Sequence, residues 1–139
     1  MTMRLDEEQC RSRLGTAGHG VFGTVHAARG VDVVPVVWVF AGDRITIPVD
    51  AIKAKSGARL QRLANLDADD RGVLLVDHYD DDWSRLWWVR VHGRAVEAVP
   101  SGEELDALAA AFPAYRSRGA VTKTIVMAVD TITGWAAGG

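Results

Sequence analysis

The feature that most constrains this fold is a stretch of β-branched and aromatic residues from His19 to Val49, interrupted twice by turn signals. Ala27–Gly30 separates the first run from the second, and Ala41–Asp43 separates the second run from Arg44–Val49. Runs of this composition bounded by Gly and Asp are typical of strands in successive hairpins. We therefore predict an antiparallel meander of three strands. Pro35 interrupts the second run, and because proline cannot donate to a ladder it predicts an edge, a bulge or a rim position.

The remaining elements are predicted from helical spacing, caps and alternation. The predicted helices span about Asp6–Leu14, Ser56–Leu66 (ended by Asp67–Asp70) and Ser101–Phe112. Three further strands are predicted at Val73–Val76, Leu86–Val99 (bent at Gly93) and Thr122–Val129, with a loop at Tyr79–Asp82. Hairpins come first and no regular βαβ alternation follows. The sum of about six strands and two or three helices therefore favours a mainly β fold, an antiparallel barrel with flanking helices, over a doubly wound parallel sheet.

Length and charge restrict the class of protein. The chain has 139 residues, which predicts a single domain over residues 1–139. Its formal net charge of −2 argues against a general nucleic-acid binder. No apolar run is long enough to span a membrane, and the start is too charged for a signal peptide. Cys10 has no second cysteine to pair with, so we expect a reducing, cytoplasmic location.

The common catalytic sequence motifs do not account for a function of this chain. We expect no Gly-rich phosphate loop, and neither a CxxC pair nor a GxSxG elbow occurs. The four histidines lack the spacing of metal ligands, so no metal site is predicted. Of these histidines, His78 is a candidate proton donor together with its neighbour Tyr79, although structural hydrogen bonding explains both residues equally well.

Three segments could hold a ligand. The apolar run Val33–Val37 with its proline offers a flat wall for a planar ring, with unpaired carbonyls for ring N–H groups; it also fits a plain core strand. In the segment Asp50–Lys55, Lys53 and Lys55 lie near a predicted helix N-terminus and form a candidate anion site, which Arg59 and Arg62 could extend. A solvated basic loop is the alternative.

Tryptophans dominate the third segment. Trp83, Trp87 and Trp88 lie within six positions, and they are three of the five tryptophans in the chain. Alternation sends Trp87 and Trp88 to opposite faces of their strand, so at most one of them faces the core. A large aromatic residue on an outer face indicates an interface. Cover by a helix of the same subunit is the alternative.

Two stretches carry a resemblance to a known family. They are Val49-Asp50-Ala51-Ile52-Lys53-Ala54-Lys55 and Leu75-Val76-Asp77-His78-Tyr79-Asp80-Asp81-Asp82-Trp83-Ser84-Arg85-Leu86-Trp87-Trp88-Val89-Arg90. With the order of elements, they resemble the pyridoxamine 5'-phosphate oxidase-like (PPOX class) flavoproteins, and within them the actinobacterial branch assigned to the deazaflavin coenzyme F-420. The first stretch has one residue more than the family's Val-Asp-x-Lys-Pro-Lys and an alanine in place of its proline.

The resemblance implies a six-stranded antiparallel split β-barrel, similar to FMN-binding proteins, in a homodimer with two cofactor sites at the interface. The implied ring contacts are Val34, Pro35, Val36, Val37, Pro48, Val49 and Asp50. The cofactor phosphate and acidic tail would lie against Lys53, Lys55 and Arg59, and the partner's Trp83, Trp87 and Trp88 region would close the site.

The implied activity is hydride transfer from F-420 to an unidentified small organic acceptor. The chain lacks the C-terminal arginine and histidine with which the family's vitamin B6 oxidases hold their substrate, which argues against pyridoxamine phosphate. Three alternatives stay open. They are an FMN-dependent oxidase or reductase of the same fold, a non-enzymatic binder of flavin, deazaflavin or haem, and a structural dimer with a vestigial site.

Overall fold

The computed structural model describes residues 3–50, 60–116 and 121–138. Within them the chain is mainly β, with a closed six-stranded antiparallel barrel, one extra strand and three helices. The strands are β1 Met3–Leu5, β2 Ala17–His26, β3 Gly30–Ala41, β4 Arg44–Asp50, β5 Arg71–His78, β6 Trp87–Val96 and β7 Val121–Ala136. The helices are α1 Glu7–Leu14, α2 Gln61–Ala68 and α3 Gly102–Ala111, with short 3-10 turns at Trp83–Arg85 and Pro113–Tyr115. None of the helices is long and apolar enough to cross a bilayer.

The sheet closes because β7 pairs on both of its edges. The strand order is β1-β7-β4-β3-β2-β5-β6, and β6 then pairs with β7 to complete the barrel. The first half of β7 lies against β4, and the part from Val126 to Ala136 lies against β6. β1 is the extra strand, which adds to the far end of β7. Closure leaves fewer exposed edges on which other chains could pair.

The predicted meander is confirmed, and β2 and β3 pair over ten residues from Ala17↔Val39 to His26↔Gly30. The β3–β4 pairing is much shorter and joins Val39–Ala41 to Arg44–Thr46. Pro35 pairs with Val21 of β2 on one side, and on the other side no strand among the described residues pairs with it. The proline therefore lies on an open edge, as predicted.

Both capping predictions for the outer helices are confirmed. At α1 the Asp6 side chain accepts from the Gln9 backbone N–H at 2.8 Å, and at α3 the Ser101 hydroxyl accepts from Glu104 at 3.1 Å. These bonds satisfy donors that the first helical turn would leave free. The two helices cover the barrel, whose core contains large buried side chains such as Trp38, Phe22 and Met127.

Several predicted boundaries are wrong. The last strand runs to Ala136 rather than Val129, because Ile132–Ala136 pairs with β6 and its last three residues, from Gly134, also pair with β1. β6 ends at Val96, three residues before the predicted limit, and α2 continues to Ala68 through part of its predicted stop. β1 was not predicted, because three residues carry too little pattern. The start predicted for α2 at Ser56 lies outside the described residues.

Candidate functional site

A cleft opens where β3 and β4 separate. Beyond Val39↔Thr46 no pairing joins these two strands in the described part of the chain. The cavity between them measures about 230 Å³. Its lining combines an apolar wall from the two strands with polar groups from neighbouring elements: Pro35, Val36, Val37, Pro48, His19, Arg62 and Tyr115. We call it the split cleft. Such a mixture of apolar walls and a few polar groups is typical of small-ligand sites.

Arg62 is the cation of the split cleft. The side chain projects from the first turn of α2, and its buried Nε finds no hydrogen-bond acceptor among the described residues. Burial lowers the pKa of the Arg62 guanidinium, and the nearby Tyr115 partly opposes this effect. Arginine nevertheless stays charged in proteins. A half-buried cation with an unpaired N–H requires an acceptor, and an anionic ligand would supply it.

A second cavity of about 370 Å³ adjoins the first at Arg62. Its lining includes Val34 in the first half of β3. It also includes Arg29 and Asp32 near the tip of the β2–β3 hairpin. Arg29 forms two hydrogen bonds to the Asp32 carboxylate, at 2.7 and 3.0 Å. The two cavities share Arg62 in their linings, and we call the pair of them the groove.

A buried amide holds α2, and with it Arg62, against the barrel. Asn65 is 3% exposed, and its Nδ2 donates to Thr24 Oγ1 and to Asp32 Oδ2, both at 2.9 Å. Gln61 in turn donates to Asn65 Oδ1 at 2.8 Å. Because Arg62 lies three residues before Asn65 on the same helix, these bonds hold the Arg62 backbone beside β2 and β3.

The structure brings most of the predicted wall together. Pro35, Val36, Val37 and Pro48 line the split cleft, and Val34 lines the adjoining cavity. Val49 is buried in the core. The structure does not describe the side chains of Asp50, Lys53, Lys55 and Arg59. Of the predicted anion site it therefore describes only Arg62, which the sequence analysis named as a residue that could extend the site.

The tryptophan segment lies elsewhere on the barrel. Trp87 and Trp88 take opposite faces as predicted, because Trp87 packs against the core while Trp88 lies 4.9 Å beneath the Arg90 guanidinium. Both line a separate cavity of about 340 Å³ together with Leu75, Asp77, Tyr79, Leu86 and Arg90. Trp83 is 68% exposed on its 3-10 turn. None of the three contacts the split cleft of its own chain.

A larger cavity of about 750 Å³ lies on the other side of α2, but its charges suit an anion less well. Asp67 and Glu97 line it against one lysine, Lys123. A glycine spacing of the GxGxxG type does occur in the sequence, at Gly18, Gly20 and Gly23, although no Gly-rich phosphate loop is expected. All three glycines lie inside β2 and not between a strand and a helix, so they form no phosphate loop.

The sequence profile of the pyridoxamine 5'-phosphate oxidase family matches residues 6–134. The chain belongs to this family. No curated protein matches its sequence significantly. Solved structures share the fold, among them an FAD-binding protein from Mesorhizobium loti (15% identity, 99% of both chains covered, TM-score 0.70). An F420 reductase shows 16% identity over 88% of this chain and 94% of its own, with a TM-score of 0.64. The haem storage protein HutZ from Vibrio cholerae shows 11% identity over 94% of both chains, with a TM-score of 0.58.

In this member of the pyridoxamine 5'-phosphate oxidase family, the predicted proton donors lie outside the split cleft. His78 stacks on Trp87, with its Nε2 3.6 Å from Asp80, and Tyr79 is 69% exposed beside the tryptophan cavity. His19 and Tyr115 line the split cleft instead. No sequence pattern pointed to Tyr115, which lies in the 3-10 turn after α3. His19 could have been found, because it pairs across from Val37 of the predicted wall.

Proposed function

We propose that this chain is an oxidoreductase that binds a flavin-type cofactor, coenzyme F-420, in the split cleft and transfers hydride to a small organic acceptor. Membership of the pyridoxamine 5'-phosphate oxidase family supports a flavin- or deazaflavin-binding role of the oxidoreductase type. The observation that carries the proposal is the unpaired, buried Nε of Arg62 beside an apolar wall. The residues fit a cofactor that joins a planar ring to an anionic group.

The second cavity beside Arg62 favours F-420 over FMN. FMN ends at its phosphate, whereas F-420 continues beyond a phosphodiester into a polyglutamate tail. With a ring against Val37 and Pro48 and the phosphodiester at Arg62, the adjoining cavity of about 370 Å³ leaves room for a tail. Lys53, Lys55 and Arg59 precede Arg62 in sequence and supply further positive charge to the same part of the chain. FMN in the same cleft is the second candidate.

The chain's own residues would bind and orient the cofactor. The bound cofactor supplies the hydride chemistry. The apolar side chains of Val36, Val37 and Pro48 exclude water from one face of a ring, while Arg62 fixes the anionic end and so the position along the groove. His19 and Tyr115 lie where they can donate hydrogen bonds to a ligand in the cleft.

We also propose that the protein is a homodimer whose sites form at the interface. The outer face of β2, β3 and β5 is apolar and exposed, with Val31 at 65%, Val33 at 63%, Leu75 at 38% and Val21 at 37%. Leu75 joins this face to the tryptophan cavity. That cavity contains both Asp77 and Arg90, and opposite charges on one face can pair across a twofold axis. A dimer would let the partner's aromatic segment cover the split cleft.

A titration tests the cofactor. Purified protein is titrated with F-420 and with FMN, and binding is followed by ligand fluorescence. We expect F-420 to bind more tightly than FMN. Tighter FMN binding would replace F-420 with FMN in the proposal, and binding of neither would overturn it; a Soret band on titration with haemin would then point to the haem alternative.

The Arg62→Ala variant tests the anion contact. Loss of a charge-assisted hydrogen bond should raise the Kd for F-420 about tenfold or more. Arg94→Ala is the matched control, because it removes the same charge at a residue that lines none of the described cavities. Equal Kd values for Arg62→Ala and wild type would remove Arg62 from the site.

A further inference from the structure

We propose that Pro35 and Pro48 hold the split between β3 and β4 open and make its edges accept rather than donate hydrogen bonds, so that the ligand's ring must present N–H groups to them. This inference rests on the proposed ring site. It adds a cause for the separation of the two strands, and it states which hydrogen-bonding groups a ring needs in order to fit between them. Both prolines line the split cleft, one on each strand.

The direction of the backbone groups follows from the ladder. The N–H of Phe40 donates to the Thr16 carbonyl at 2.8 Å, on the β2 side of β3. In an antiparallel strand, the N–H and C=O of one residue point to one edge, and those of the next residue point to the other edge. The backbone groups of Val39, Val37 and Pro35 therefore point toward β4.

The pairing between β3 and β4 stops where the next hydrogen-bonded pair would include a proline. Ala41↔Arg44 and Val39↔Thr46 are alternate pairs across the turn, and the next pair in the same series would be Val37↔Pro48. Such a pair exchanges two N–H···O=C bonds, but Pro48 has no N–H. Pro35 lies two residues further along the same edge and removes another donor. The ladder ends at the last pair before these two prolines.

The edges left open are rich in acceptors. Pro35, Val37 and Pro48 present three carbonyl oxygens to the opening, and Val37 supplies the one N–H of these three residues. Pro48 is buried and Val37 is half-buried, whereas Pro35 is exposed, so two of the three acceptors are partly removed from water. A buried acceptor without a donor is unfavourable, because the hydrogen bond that it loses to water is not replaced. A planar heterocycle with N–H groups in its plane satisfies these carbonyls, whereas a ring edge that carries only lone pairs faces three more of them.

Amide hydrogen exchange of Pro48→Ala and Pro35→Ala tests the opening without any ligand. We expect the new amide of Pro48→Ala to be protected, and exchange at Val37 to slow by about tenfold or more, as the ladder extends into the cleft. Pro100→Ala is the control, because Pro100 lies between β6 and α3 and lines none of the described cavities. Free exchange of the new amide, with Val37 unchanged, would overturn the role of Pro48.

Binding of lumiflavin and N3-methyl-lumiflavin to the wild-type protein tests the polarity of the edges. Methylation removes the ring N–H, so we expect the methylated ring to bind about tenfold or more weakly, which corresponds to about 1.4 kcal/mol. Equal binding of the two rings would overturn the proposed polarity. If neither lumiflavin, F-420 nor FMN binds to the wild type, the proposed function and the polarity fail together, while the exchange experiment still decides whether the prolines hold the cleft open.

Discussion

At the scale of single residues, buried polar side chains attach the helices to the barrel. Glu104 is 7% exposed in the first turn of α3 and accepts a short hydrogen bond from the Thr46 hydroxyl of β4. Arg44 approaches the same carboxylate at 3.5 Å, and Ser101 donates to it as part of the helix cap. One carboxylate thus joins the helix to the strand that forms one wall of the split cleft.

Glu104→Gln should destabilise the fold in a pH-dependent way. Burial raises the pKa of Glu104, but hydrogen bonds from Thr46 and Ser101 and the charge of Arg44 outweigh burial and hold its pKa below the ordinary value. The carboxylate therefore stabilises the fold above the ordinary glutamate pKa of about 4.3, and this contribution is lost as the pH falls through the lowered pKa. We expect the variant to lose about 1–3 kcal/mol at pH 7 in denaturant unfolding.

The control is Glu103→Gln, an exposed position in the same helical turn, which should change the free energy of unfolding little. The difference between wild type and Glu104→Gln should shrink below pH 4. A difference that stays constant from pH 7 to pH 3 would contradict the role of the ionised carboxylate.

At the scale of elements, closure of the barrel depends on a bulge between β6 and β7. The register shifts between His92 and Gly93. A Cβ at Gly93 would overlap the Ala128 carbonyl oxygen and lie 2.9 Å from Met127 Cγ, so a side chain does not fit while the strands stay paired. At this glycine, where the sequence predicts a bend, the close approach of β7 therefore leaves no room for a side chain.

Gly93→Ala should lower the free energy of unfolding by about 2–3 kcal/mol, because the overlap is with backbone that is fixed by the ladder. Gly102→Ala is a matched control. A Cβ there meets nothing within 4 Å, and alanine favours the helix, so the free energy of unfolding should be unchanged or rise by up to about 1 kcal/mol. Equal stabilities of the two variants in chemical denaturation would show that the bulge tolerates a side chain.

At the scale of the whole molecule, one face of the barrel is both apolar and exposed to solvent. Val31 and Val33 are each more than 60% exposed, and the ladder places them beside Val25 and Gly23 of β2. Contiguous apolar surface of this kind indicates a protein interface. It is continuous with the tryptophan cavity through Leu75. The proposed dimer would cover both.

Val33→Glu should therefore dissociate the proposed dimer, because it places an unpaired charge in an apolar contact. Sedimentation velocity should show the wild type as a dimer and the variant shifted toward monomer by at least tenfold in its dissociation constant. Val99→Glu, at a position that is 85% exposed elsewhere on the molecule, should leave the dimer intact. A monomeric wild type, or a Val33→Glu dimer as stable as the wild type, would contradict this assignment.

Local pattern was sufficient for most elements of this fold. The meander and both capped helices follow from turn residues, caps and alternation, which act over a few neighbouring positions. The long reach of β7 to Ala136 did not follow from pattern, because its second half contains Thr133 and Gly134 and is held by β6 and β1 rather than by its own propensity.

The residues of the candidate site also fall into two groups, those that sequence patterns identify and those that they do not. Composition, proline placement and the family resemblance are enough to identify the apolar wall of Pro35, Val36, Val37 and Pro48, which line one cleft. Only the tertiary structure decided that Arg62, His19 and Tyr115 line this cleft, and that His78 and Tyr79 do not. These residues come from three different elements, and the hydrogen bonds of Asn65 that place Arg62 join positions 33 and 41 residues apart. Contacts over such separations depend on how the barrel closes, which no local spacing records.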